Sequence, residues 1–151
     1  TLDFSAFSSL TSIELESGTT LDGETINTTL ASGQSLSLDS ITDGDMASAS
    51  LSDGGIKVVQ PNSVTALSIT LDDVGPATTT TNSNLFIDIA GTGVTATTLS
   101  TANDNFIVLE NTGAALDTLN LMGAGVLGIM STLPNNINNI NNYKRILKKL
   151  V

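Results

Sequence analysis

The chain has no cysteine, no histidine and no tryptophan, and a single tyrosine, Tyr143, among its 151 residues. The first absence excludes disulfides, thiolate metal sites and a cysteine nucleophile. The second removes the commonest general base and metal ligand near neutral pH. Aromatics amount to 3% against 40% apolar residues, so a core must be filled by Leu, Ile, Val and Ala. Such side chains stack best in a thin, layered interior on a pleated surface. Cations are equally scarce: Lys57 is the only one before Lys144, and it stands against fifteen carboxylates spread from Asp3 to Asp117. Residues 1–143 therefore carry −14, and Lys144, Arg145, Lys148 and Lys149 return +4. An acidic body repels phosphate backbones, which argues against a nucleic-acid partner. It suits cations and an extracellular or high-salt setting. No apolar run has the length of a membrane-spanning helix. The chain opens on Thr1 without a charged and then apolar leader, which points to a fragment or a processed chain.

What is present is alternation. The length suits one domain with its own core. From Asn84 to Gly128, short period-two segments (Leu85-Ile87-Ile89, Ile107-Leu109, Leu119-Leu121) are broken by Gly91-Thr92-Gly93, Asn111-Thr112-Gly113 and Gly123-Ala124-Gly125. That pattern predicts half-buried strands. Looser versions precede it: a strand in LTSIELES with Glu14 and Glu16 outward, then Glu24–Ala31, Gln34–Ile41 and Met46–Leu51. Gly54-Gly55 leads into IKVV, which Gln60-Pro61-Asn62 stops, and then comes the strand in SVTALSITLDDVGP, which Asp72-Asp73 ends. Residues 1–9 read as a cap over an exposed end, and TTTTNSN at 78–84 as a mobile polar loop. Spacings of 18 to 23 residues (Leu67 to Leu85, Ile87 to Ile107, Ile13 to Leu36) approach the length of a solenoid coil. The twelve from Leu109 to Leu121 suit a simple strand-to-strand step. The expected fold is all-β, a parallel β-helix or β-solenoid over residues 1–133, with a two-sheet β-sandwich as the alternative. Residues 134–151 form an Asn-rich linker and a basic amphipathic tail. Apolar residues at three- and four-residue steps predict a helix there, firm over Ile140–Leu150, with its cations near the C-terminus.

Oxygen-rich turns are the only site candidates. Asp43 and Asp45, with Asp39 or Asp53 from a neighbouring turn, form a candidate calcium site; the competing reading is a solvated turn. Asp72-Asp73 has no arginine or aromatic platform beside it and reads as a strand-ending turn rather than a glycosidase pair. A hydroxyl nucleophile would need a base, and Lys57 is the only one in the body. No catalytic residue is assigned. The basic tail has the character of a segment that touches lipopolysaccharide, an anionic membrane or a neighbouring chain. The competing reading is a terminal cap, or a segment foreign to the body.

The phrases SVTALSITLDDVG and LFIDIAGTGVTATTLSTANDNFIVLENTGAALDTLNLMGAGVLGI resemble the repeat region of RTX-type bacterial surface-layer proteins of the Caulobacter and Campylobacter kind. The likeness covers about residues 20–130. TDGDM at 42–46 and SDGGI at 52–56 are partial echoes of that family's calcium repeat. The resemblance implies a β-solenoid at the cell surface that self-assembles into a coat, with calcium bound. The expected function is therefore structural and not enzymatic. An adhesin module for glycans or host proteins is the alternative, and a β-helix carbohydrate-active enzyme the third reading.

Overall fold

The computed structural model describes residues 1–16, 25–41, 55–75, 85–129, 137–142 and, for the backbone, 147–150. The chain is all-β, with no helix among the described residues. One sheet holds β1 (Leu2–Asp3), β3 (Thr25–Thr29), β5 (Gly55–Val59), β7 (Leu85–Ile89), β9 (Asp104–Glu110), β11 (Val126–Ile129) and β13 (Leu147–Leu150), in that order. The other holds β2 (Ser12–Glu16), β4 (Ser35–Asp39), β6 (Ala66–Asp72), β8 (Ala96–Thr101), β10 (Thr118–Gly123) and β12 (Asn139–Asn142). The chain thus alternates between an odd and an even sheet. Each strand pairs in parallel with the strand two steps before it and two steps after.

Alternation in sequence becomes stacking in space. Residues of one parity point inward, and the parallel register lays them in rows. Ile13, Leu36, Ile69, Leu99 and Leu121 form one such row in the even sheet. Ile26, Ile56, Ile87 and Leu109 form one in the odd sheet. These rows make a single continuous core of Leu, Ile and Val. Each fully buried aliphatic side chain stabilises the fold by about 1.5–3 kcal/mol.

The expected step from Ile13 to Leu36 is an actual pairing, 23 positions apart. Leu85 faces Ile107 and Ala96 faces Thr118, each 22 positions on. Ile87 lies opposite Leu109 rather than Ile107, an offset of two that keeps the same face inward. Elsewhere the step lengthens: Ile56 faces Ile87, 31 positions on, and Leu36 faces Ile69, 33 on. The difference lies in the connections from even to odd strands. Residues 40–54 and 73–84 fill two of them, whereas 102–103 and 124–125 suffice for two others. The expected strand Met46–Leu51 and the expected polar loop 78–84 lie outside the described residues.

The odd-to-even connections vary less in length, as in 30–34, 60–65, 90–95 and 111–117, and the turns at 60–65, 90–95 and 111–117 stack on one another. Thr92 Oγ1, between β7 and β8, donates to Asn62 Oδ1, between β5 and β6. A Cβ at Gly93 would strike the Asn62 carbonyl, and one at Gly113 would lie 2.6 Å from the Gly91 carbonyl oxygen. Glycine is required at these positions because one turn sits directly on the next. The opening residues are also tied to the strands that follow. β1 pairs with β3, the Phe4 N–H donates to the Thr29 carbonyl, and Gln34 Nε2 donates to the carbonyls of Phe4 and Phe7.

The tail corrects the expectation of an amphipathic helix. Asn139–Asn142 is a strand in parallel pairing with β10, and Leu147–Leu150 pairs with β11. Asparagine is poor helix material. The outer strands of a stack instead present rows of unpaired N–H and C=O groups that a further strand satisfies. The asparagines take part: Asn141 Nδ2 donates to Asn120 Oδ1 at 2.8 Å, in line with the backbone register of β10 and β12.

Candidate functional site

The even sheet is simple on its outer face, with small hydroxyl and amide residues in rows such as Ser68, Thr98, Asn120 and Asn141. The odd sheet is not. Ile56 and Val58, Ile87 and Ile89, and Ile107 and Leu109 point inward, so Lys57, Asp88 and Glu110 face outward from β5, β7 and β9. Register makes them neighbours: Lys57 faces Asp88, and Asp88 faces Glu110. The only lysine before the tail thus lies in a row with two of the fifteen carboxylates.

Asp88 is the centre of this row. Its side chain is fully buried, while that of Lys57 is one-third exposed, and Lys57 Nζ lies 3.6 Å from Asp88 Oδ2. Both carboxylate oxygens are engaged by the turn after β9. The Thr112 N–H donates to Oδ1 at 2.8 Å, and Thr112 Oγ1 donates to Oδ2 at 2.6 Å. A buried carboxylate is tolerated only with such compensation. Burial lifts the Glu110 carboxyl above the ordinary glutamate range; the Asp88 charge adds to this, and Lys57 opposes it. Phe86, beside Asp88 on the same outward face, is also fully buried. Chemically, the row offers an amine, a shielded carboxyl, hydrogen-bond donors on both of that carboxyl's oxygens, and a second acid able to carry a proton.

Sequence reasoning singled out Lys57 alone. Asp88 and Glu110 carried a faint signal, since each places a charge inside or at the end of an otherwise apolar strand (LFIDI, DNFIVLE). Of the candidate calcium residues, Asp43, Asp45 and Asp53 lie outside the described residues. Asp39 ends β4, level with Glu16 of β2 and Asp72 of β6. Its Oδ1 accepts from Ser40 Oγ. Among the described residues no three carboxylates gather closely enough to hold a metal ion. Asp72 Oδ1 accepts from Asn103 Nδ2 at 2.6 Å, and Asp73 takes a left-handed corner conformation, φ 53°. At the opposite edge, Asp117 is held below the ordinary aspartate range by hydrogen bonds from Asn138, Thr118 and Asn139.

Compared with known proteins, the chain matches no family model, no curated sequence and no solved structure.

Proposed function

We propose that this chain is a structural segment of an extracellular, cell-surface protein: a two-sheeted β-solenoid that associates with copies of itself into a coat. The observation that supports this reading best is the parallel pairing that runs through both sheets, in continuous register from β2 to β12 in the even sheet and shifted in the odd sheet between Leu127 and Gly128 where β13 joins β11. Register turns each outer position into a line of equivalent residues. Two of those lines on the even sheet are small and uncharged, Ala66-Ala96-Thr118-Asn139 beside Ser68-Thr98-Asn120-Asn141. A flat face of short side chains packs against another over a large area with little side-chain entropy to lose.

Calcium enters through charge. Glu16, Asp39 and Asp72 stand in one row on adjacent strands, where like charges repel. No one chain's row gathers enough carboxylates to hold a metal among the described residues, so in this reading a hard divalent cation is shared between the carboxylate oxygens of neighbouring copies and relieves the repulsion there. In this reading calcium strengthens lateral association, and the cations of the tail meet lipopolysaccharide or another anionic surface. The role is mechanical, and no catalytic step belongs to it. Electron microscopy of the purified chain tests it directly. Ordered sheets or bundles are expected with calcium, and their loosening with a chelator. Monomers at every concentration, indifferent to calcium and chelator, would contradict it.

A further inference from the structure

We propose that Lys57 and Asp88 are joined after folding by a side-chain amide that ties β5 to β7 covalently. The proposal rests on the geometry of the charged row and is independent of the assembly reading. Lys57 Nζ lies 3.6 Å from Oδ2 of a carboxyl with no solvent exposure, on the adjacent strand and in direct register. Water is therefore kept from the carbon that would be attacked, and the amine is held beside it. Well-oriented intramolecular partners reach effective concentrations on the order of 10⁵–10⁸ M, enough to drive a condensation that fails between free side chains in water.

The residues around the pair supply the rest of the chemistry. A proton passes from Nζ to Asp88 Oδ2, which converts the ion pair into a neutral amine and a carboxylic acid. The nitrogen lone pair then attacks Cγ and forms the Nζ–Cγ bond. Charge develops on Oδ1, where the Thr112 N–H already donates at 2.8 Å, in the manner of an oxyanion donor. Glu110 flanks Asp88 on the side away from Lys57. Its carboxylate takes a proton from the attacking nitrogen and delivers it to Oδ2. The Cγ–Oδ2 bond breaks and water leaves. One amide and one water are formed, Glu110 ends as it began, and nothing is oxidised or reduced. The elevated affinity of Glu110 for a proton fits this carrier role.

Intact-mass measurement of the purified full chain tests the proposal. The wild-type chain is expected to be lighter than its sequence by one water. After denaturation, trypsin is expected to leave the bond after Lys57 uncut, because an acylated lysine is not recognised. Lys57→Arg should restore the full mass and be cut at that position. Asp88→Asn should close with loss of ammonia in place of water. Glu110→Gln, folded by circular dichroism, should stay predominantly at full mass. A wild-type chain at full sequence mass and cleaved after Lys57 would overturn the proposal. So would a loss of water that persists in Lys57→Arg, and closure in Glu110→Gln as complete as in the wild type would remove Glu110 from the step.

Discussion

Thr97 and Asn105 are both polar, both fully buried, and opposite in consequence. Thr97 sits in the inward row between Leu67 and Leu119, and its hydroxyl has no hydrogen-bond partner among the described residues. An unsatisfied buried hydroxyl costs about 1–3 kcal/mol. Thr97→Val keeps the shape and removes the orphan, so it is expected to raise stability by about 1–2 kcal/mol, read as a higher urea midpoint. Asn105 is fully used: Oδ1 accepts from the Val74 N–H, and Nδ2 donates to the carbonyls of Asn103 and Val126. Asn105→Leu strands those backbone groups and is expected to lower stability by about 2–3 kcal/mol in the same titration. Gly125 makes a third case. A Cβ there would strike the carbonyl oxygens of Ala102 and Asn103, so Gly125→Ala should cost about 1–3 kcal/mol through overpacking against backbone. None of these three roles could be read from the chain alone. Each depends on a residue more than twenty positions away, and the sequence pattern fixes parity within a strand without fixing which strands meet. Lys57 illustrates the same limit: its isolation among carboxylates was legible, and its partner across the β5–β7 connection was not.

At the scale of the element, the legible strands are those with clean inward aliphatics. β2, β4, β6, β7 and β9 fall where alternation places them. β8 was hidden because two of its three inward positions, Thr97 and Thr101, are threonines. The tail was misread for a related reason. Three- and four-residue spacing of Ile137, Ile140 and the residues beyond satisfies a helical period, while what decides the outcome is a neighbouring edge strand and acceptors for the side chains of Asn138, Asn139 and Asn141. Asp117 supplies one such acceptor. The N–H groups of Asn138 and Asn139 both donate to its carbonyl oxygen, and their side chains donate to its carboxylate. That carboxylate has its pKa depressed in the folded chain. The stabilisation it gives is therefore complete above the ordinary aspartate range and is lost as pH falls through the depressed folded value. Amide-exchange protection factors at residues 138–142 are expected to hold at neutral and mildly acidic pH, then to drop below that value while those of β8 and β9 persist. Protection in β12 that stays level with β8 into strong acid would show that Asp117 does not hold the strand.

For the whole molecule, the layered all-β character follows from composition and period together: few aromatics, many Leu, Ile and Thr, and glycine at intervals. The irregular repeat length has an equally physical source. Connections between an even strand and the next odd strand vary from residues 102–103 to residues 40–54 without disturbing the register on either side. Lengthening a loop costs little once its ends are fixed by the sheets, so the step between paired strands drifts in length while the inward rows stay in line from β2 to β10 and from β3 to β9.

Outward residues of β6, β8 and β10 lie in line across parallel strands. The absence of cysteine provides a clean background for testing this by paired substitution. Ser68, Thr98 and Asn120 occupy one outer row of β6, β8 and β10. Adjacent strands are about 4.8 Å apart, within disulfide reach, and strands two apart are about twice that, beyond it. The measurement is the extent of disulfide formation under mild oxidation in three double variants. Ser68→Cys with Thr98→Cys, and Thr98→Cys with Asn120→Cys, are expected to close rapidly within one chain, and Ser68→Cys with Asn120→Cys to stay open. Closure of the third pair with failure of the first two would contradict the stacked-coil arrangement on which the rest is built.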